Sequence, residues 1–145
     1  MKYNKLLQLC FVFLVICGTN GDAQNTENWT RKDLTEPSSL AALIRANKTL
    51  PVLFNVGPSA IIPGSIDIGM VKDEKNLEKF KNELGKLPLN TNLLIYCGCC
   101  PFEHCPDVRP AIALLQKMKF TNYHLLNIPH NIKADWIDKG YPTTR

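Results

Sequence analysis

Residues 93–120 read LLIYCGCCPFEHCPDVRPAIALLQKMKF, and this stretch decides the fold. Its first four residues, Leu93–Tyr96, form the unbroken apolar run that is typical of a strand covered on both faces of a parallel sheet. Apolar residues recur at helical spacing after Pro110, which predicts an amphipathic helix beginning at that proline. Four cysteines lie between the strand and the helix, at the edge of the sheet where ligands bind in open α/β folds.

Strands and helices alternate over the rest of the chain. Apolar runs predict further strands, and capping residues with spaced apolar positions predict further helices. This alternation predicts an α/β fold: a single domain with a mostly parallel central sheet and helices on both faces. The other predicted elements are helices over 35–48, 73–85 and 131–139 and strands within 52–56, 61–68 and 123–126.

The composition excludes several classes of protein. With 45% hydrophobic and 21% charged residues, the 145-residue chain is neither disordered, collagen-like nor a coiled coil, and its length suits one domain. The net charge is only +4, and no stripe of Lys and Arg carries interleaved aromatic residues. We therefore expect no nucleic-acid partner. The oligomeric state is not indicated.

The N-terminus resembles an export signal. Two lysines precede an apolar run at 6–17, which is shorter than the roughly 20 residues that span a bilayer as a helix. The small residues Gly21 and Ala23 then form a cleavage site. We interpret 1–23 as a signal peptide and 24–145 as the domain.

A lipoprotein signal is the second interpretation of the same segment. Residues 14–17 then form a lipobox ending at Cys17, in which Ile16 fits poorly because a small residue is preferred there. Either way, the mature chain is expected to have no transmembrane segment and to be exported, as a periplasmic or secreted protein. Its cysteines would then meet an oxidising compartment.

The cysteine loop predicts a nucleophile. Cys97 follows a buried strand and precedes a helix N-terminus, whose free amides and dipole favour a thiolate. Arg109 adds a fixed positive charge beside the start of that helix. We therefore expect Cys97 to be ionised and nucleophilic.

The chain resembles the rhodanese-like sulfurtransferase superfamily along most of its length. Five segments carry the resemblance in the right order, and they include the strand that delivers the cysteine and the closing A-W…G-x-P pattern. They are PVLFNV (51–56), IPGSI (62–66), LIYC (94–97), RPA (109–111) and ADWIDKGYP (134–142).

The resemblance implies a rhodanese-like fold and a sulfurtransferase activity that needs no cofactor. Its partners would be a small sulfur-containing donor and a thiol acceptor. Cys97 would carry sulfane sulfur as a persulfide, and Arg109 would orient an anionic donor. The loop residues expected to contact the donor are Gly98, Cys99, Cys100, Phe102 and His104.

Several positions depart from the family pattern. Eleven residues separate Cys97 from Arg109, so the loop is enlarged. The family's D-V-R after the first strand is N-V-G at 55–57, and Ile61 stands where the family has histidine. These departures remove charged groups that a compact anion site would use.

The additional cysteines leave several interpretations open. One of Cys99, Cys100 and Cys105 would resolve or accept the persulfide, or two of them would form a disulfide that holds the loop. A different enzyme class is a thiol–disulfide oxidoreductase that uses the C-x-x-C pair Cys97 and Cys100.

A non-catalytic metal-binding module is the third interpretation. The residue types suit a soft metal, although adjacent cysteines fit poorly into one tetrahedron. The expected ligands would be Cys99, Cys100, His104 and Cys105.

Overall fold

The computed structural model describes residues 29–144. The predicted signal peptide and Cys17 lie outside these residues. No helix within the described part is long and apolar enough to cross a membrane. Along the chain the elements are β1 (Leu34–Thr35), α1 (Pro37–Arg45), β2 (Val52–Asn55), β3 (Ser65–Asp67), α2 (Glu74–Leu84), β4 (Leu93–Tyr96), a 3₁₀ turn (Phe102–His104), α3 (Val108–Lys117), β5 (Tyr123–Leu126) and a π-helical turn (Lys133–Ile137).

The five strands form one parallel sheet in the order β1-β5-β4-β2-β3, which places β4 at its centre. Side chains alternate across a strand, so each strand contributes to two cores. Leu93 and Ile95 of β4 join the core formed with α2 and α3. Leu94 and Tyr96 join the opposite core, which is formed with α1 and Trp136. The predicted α/β fold with helices on both faces is confirmed.

The N-terminal edge of the sheet differs from the prediction. Leu34 and Thr35 form a short strand that pairs with Leu125 and Leu126 of β5. The expectation that Thr35 caps the first helix is therefore wrong, and Glu36 occupies the capping position without a side-chain cap. Because Thr35 pairs with β5, its backbone groups face the neighbouring strand, and Thr35 belongs to the sheet and not to the helix.

Two predicted helices have different bounds in the structure. α3 begins at Val108, so Pro110 is its third residue rather than its first. Proline is tolerated there because the first-turn amides of a helix have no intrahelical partner. The predicted helix over 131–139 is instead a single π-helical turn, closed by a 2.8 Å bond from the Asp138 amide to the Lys133 carbonyl.

Side chains of the π-helical turn bond to the backbone on both sides of it. Its Trp136 is fully buried, and the indole N–H donates to the Pro142 carbonyl at 2.7 Å. The Asp135 carboxylate, within the turn, accepts hydrogen bonds from the backbone amides of His130 and Asn131 that precede it, and it contacts the His130 imidazole at 3.0 Å. Burial alone would raise the pKa of Asp135, but the hydrogen bonds from His130 outweigh it and hold the pKa below its usual value.

Candidate active site

The cysteine loop lies across the carboxyl edge of β4 and is fastened to the chain that follows β5. The Phe102 amide donates to the Ile128 carbonyl at 3.2 Å, and the Ile132 amide donates to the Gly98 carbonyl at 2.9 Å. The Phe102 ring is buried and meets Trp29 edge-on at 6.5 Å. A buried aromatic ring and two backbone bonds therefore fix where the sulfur atoms lie.

Gly57, which follows β2, makes room for the first of these sulfurs. A Cβ at Gly57 would lie 2.5 Å from the Cys97 sulfur, so only glycine allows this approach. The turn is set by the buried Asn55, whose side-chain amide donates to the Gly57 carbonyl at 2.9 Å and to Asp67 at the same distance. The N-V-G sequence at 55–57 thus serves the contact between β2 and Cys97.

Three cysteine sulfurs follow one another in space. The Cys97 sulfur lies 3.3 Å from that of Cys99, which in turn lies 3.1 Å from that of Cys100. Cys97 is only 2% exposed, whereas Cys99 is exposed and Cys100 is partly buried. A molecule that approaches from solvent therefore meets Cys99 before Cys97.

The buried side chains of Cys97 and Cys105 are hydrogen-bonded to each other, and their pKa values shift in opposite directions. The hydrogen bond to Cys105, together with burial, raises the pKa of Cys97. The same hydrogen bond, aided by the backbone amides of Asp107 and Val108, lowers the pKa of Cys105 to about 6 in spite of its burial. These directions run against the expectation that Cys97 is the ionised cysteine and favour Cys105, which the amides at the start of α3 reach.

The C-x-x-C interpretation paired Cys97 with Cys100. The structure places Cys99 between their sulfurs, in contact with both. Burial raises the pKa of Cys100 to about 12, and its hydrogen bonds with neighbouring cysteines add to the shift. The arrangement favours exchange between Cys97 and Cys99 over the pair that the oxidoreductase interpretation named.

Arg109 lies in the first turn of α3 and is exposed. Its guanidinium donates to the Glu103 carbonyl at 3.2 Å, on the outer side of the loop. The role of Arg109 in orienting an anion stays a prediction. In this structure its side chain joins the start of α3 to the backbone of the cysteine loop.

The remaining predicted loop residues separate into two groups. Phe102 lies in the core and Gly98 packs against Ile132, where a Cβ at Gly98 would approach the Ile132 Cβ to 2.7 Å. These two residues shape the loop from within. His104 is exposed in the 3₁₀ turn and is available to solvent.

Sequence reasoning missed two residues of the site, Gly57 and Asp107. Asp107 is 1% exposed, and one of its carboxylate oxygens lies with the sulfurs of Cys97, Cys99 and Cys105, all four atoms being within 4.8 Å of one another. The signal was present in the spacing, because C-x-C at the start of the loop is matched by C-x-D at its end. The metal set predicted from sequence differs from this group, which contains neither Cys100 nor His104.

Comparison with known proteins identifies the fold. No protein-family profile matches the chain, and no curated protein sequence matches it. Two solved structures of the Alr3790 protein of Anabaena sp. are similar, each at 14% sequence identity. The NMR structure of its rhodanese-like domain has a TM-score of 0.54 and covers 77% of this chain and 78% of that one.

The crystal structure of the same protein has a TM-score of 0.53 and covers 76% of this chain and 90% of that one. At this identity the likeness concerns the fold alone. The chain therefore has a rhodanese-like fold, and the resemblance predicted from its sequence segments is confirmed at that level.

Proposed function

We propose that this protein is a sulfurtransferase or persulfide carrier in which Cys97 holds the sulfane sulfur. The rhodanese-like fold supports a function of this type. The observation that carries the proposal is the 3.3 Å separation between the buried sulfur of Cys97 and the exposed one of Cys99 at the carboxyl edge of the central strand. Two thiols at this separation can exchange a sulfur atom without a movement of the backbone.

The difference in exposure gives the order of events. The Cys99 thiolate attacks the outer sulfur of a persulfide donor R–S–SH. The S–S bond of the donor breaks, its electron pair leaves with R–S⁻, and Cys99 becomes a persulfide. The hydrogen-bonded Cys105 thiolate takes the proton of Cys97, and the Cys97 thiolate attacks that outer sulfur. The S–S bond to Cys99 breaks, and its electron pair leaves with the Cys99 thiolate. One sulfur atom moves in each step, and neither step needs an oxidant or a cofactor.

Storage on Cys97 protects the transferred sulfur. A persulfide on an exposed residue reacts with any thiol in solution, whereas Cys97 is 2% exposed and covered by Gly57 and the loop. Return of the sulfur to Cys99 makes it available to an acceptor thiol. Cys97 is then the store and Cys99 the point of exchange.

The charges around the sulfurs favour a persulfide donor over thiosulfate. Asp107 brings a buried carboxylate into the group of sulfurs, and Arg109 is engaged with the loop backbone on its outer side. A dianion such as thiosulfate meets repulsion there. We therefore propose a donor with little net negative charge, such as cysteine persulfide.

The test is a turnover assay with cysteine persulfide as donor and cyanide as acceptor. The buffer contains a chelator and no reductant. Cys99→Ser should lower the rate of thiocyanate formation about 100-fold or more, because a hydroxyl is a poor nucleophile at neutral pH and Cys99 is the point of exchange. Cys97→Ser should lose the sulfane sulfur that the unchanged protein retains after the donor is removed. Cys100→Ser serves as the matched control, with a rate and a retained sulfur close to those of the unchanged protein. Equal losses in Cys100→Ser, or the same retained sulfur in Cys97→Ser as in the unchanged protein, would overturn the proposal.

A further inference from the structure

Four potential ligand atoms converge at the inner end of the cysteine loop. They are the sulfurs of Cys97, Cys99 and Cys105 and one carboxylate oxygen of Asp107, and every pair lies within 4.8 Å. Thiolates and a carboxylate are ligand types that zinc accepts, and four of them complete its tetrahedral coordination in closed sites.

The spacing of these atoms is close to that of a zinc site. Atoms at the corners of a tetrahedron with 4.8 Å edges lie about 2.9 Å from its centre, which is about 0.6 Å more than a Zn–S bond. Two sulfurs bound to one zinc lie about 3.8 Å apart, so the Cys97–Cys99 pair at 3.3 Å would widen by about 0.5 Å while any pair near the 4.8 Å limit would contract.

The backbone explains why these residues meet. Cys105 has extended backbone dihedrals and precedes the turn at 106–107 that leads into α3. This turn brings the Asp107 carboxylate beside the Cys105 sulfur at the start of the helix. Cys97 and Cys99 have the same i, i+2 spacing at the other end of the loop, whereas Cys100 follows Cys99 directly and lies outside the group.

Asp107 supplies an independent reason to expect a cation. Its carboxylate is 1% exposed, and among residues 29–144 it forms no ion pair with a basic side chain. The Lys72 amide donates to one of its oxygens at 2.9 Å, which orients the group as outer hydrogen bonds orient metal ligands. A buried carboxylate that no basic side chain pairs can supply a negative ligand to a bound cation.

We propose that Cys97, Cys99, Cys105 and Asp107 form a binding site for Zn²⁺. The carboxylate selects zinc over Cu(I), which prefers a set made of soft sulfur ligands alone. Zinc and sulfane sulfur then compete for Cys97, so the zinc-bound protein cannot take up sulfur until the metal is removed. Only this last consequence rests on the proposed function; the zinc site does not.

The experiment is a zinc titration of the reduced full-length chain against a chromophoric chelator, with no sulfur donor present. We expect one Zn²⁺ per chain, and replacement by Co²⁺ should give the charge-transfer and d–d absorption of a tetrahedral thiolate site. Loss of an outer hydrogen-bond partner already weakens metal sites about 10–100-fold, so Cys99→Ser, which changes an exposed ligand, should weaken binding about 100-fold or more. Asp107→Asn should also weaken it and should alter the cobalt spectrum.

Cys100→Ser and His104→Ala are the matched controls, since both residues belong to the loop but not to the ligand group. They should bind Zn²⁺ as the unchanged protein does. Binding of the unchanged protein no tighter than that of Cys99→Ser, or equal losses in the two controls, would overturn the proposal. Binding of Cu(I) without binding of Zn²⁺ would overturn it too. A failure of the sulfur-transfer assay leaves these outcomes unaffected.

Discussion

Replacement of Gly57 by alanine tests the packing of β2 against the Cys97 sulfur. The new Cβ would lie 2.5 Å from that sulfur and 3.4 Å from the Cα and Cβ atoms of Cys97. Overpacking of this kind costs about 1–3 kcal/mol. A glycine-to-alanine change without a clash stabilises by about 0.4–1 kcal/mol through the unfolded chain. The net expectation is a loss of about 1–2 kcal/mol in the free energy of unfolding.

A double-mutant cycle isolates this contact. Cys97→Ala removes the sulfur but leaves the 3.4 Å contacts, which the site tolerates. In that background Gly57→Ala should be neutral or slightly stabilising, so the coupling energy between the two positions should be about 1–3 kcal/mol. The assay is urea unfolding of the four proteins, followed by tryptophan fluorescence with reductant and chelator present.

Equal destabilisation by Gly57→Ala in both backgrounds would refute this reasoning. The alanine would then act on something other than the sulfur, such as the turn that Asn55 holds. A stabilised Gly57→Ala single variant would also refute it, because the sulfur would not be where the structure places it.

Three other predictions follow from exposure, close packing and charge. In a maleimide time course read by peptide mass spectrometry, the exposed Cys99 should be labelled before Cys97, and equal rates would contradict the described loop. Gly98→Ala should lower the free energy of unfolding by about 1–3 kcal/mol, because its Cβ would approach the Ile132 Cβ to 2.7 Å, and an unchanged urea midpoint would contradict this. Asp135→Asn should lower stability at neutral pH by about 1–3 kcal/mol. Because the pKa of Asp135 is lowered on folding, its contribution is present above the ordinary pKa of 3.8 and is lost as the pH falls below it, so the unchanged protein and the variant should converge in acid urea melts.

The elements that the sequence predicts well are those whose own residues decide them. Leu93–Tyr96 is an unbroken apolar run, and it forms the central strand as expected. The helix over 74–84 carries its apolar residues on one face and lies where its pattern indicates. Short elements cannot be predicted in this way. β1 has only two residues, Leu34–Thr35, which is too few to show a periodicity, and it is a strand because it pairs with β5.

The protonation of the candidate site depends on how the loop folds back. From the sequence, Cys97 and Cys105 are both near the amides that begin α3. Burial of Phe102 and the bond from its amide to Ile128 bring Cys105, rather than Cys97, onto those amides. The same folding of the loop brings the Asp107 carboxylate beside the sulfurs of Cys97, Cys99 and Cys105. Cys97 itself was identifiable because its position after β4 is fixed by the sheet.

The most direct measurement of the central claim is the location of the transferred sulfur. The full-length chain is incubated with cysteine persulfide and a chelator, then alkylated and digested, and the extra sulfur is mapped by tandem mass spectrometry. The account predicts one sulfane sulfur on Cys97, released by cyanide more slowly than a persulfide on an exposed residue. Extra sulfur on Cys100 or Cys105 alone, or on no cysteine of the loop, would contradict it.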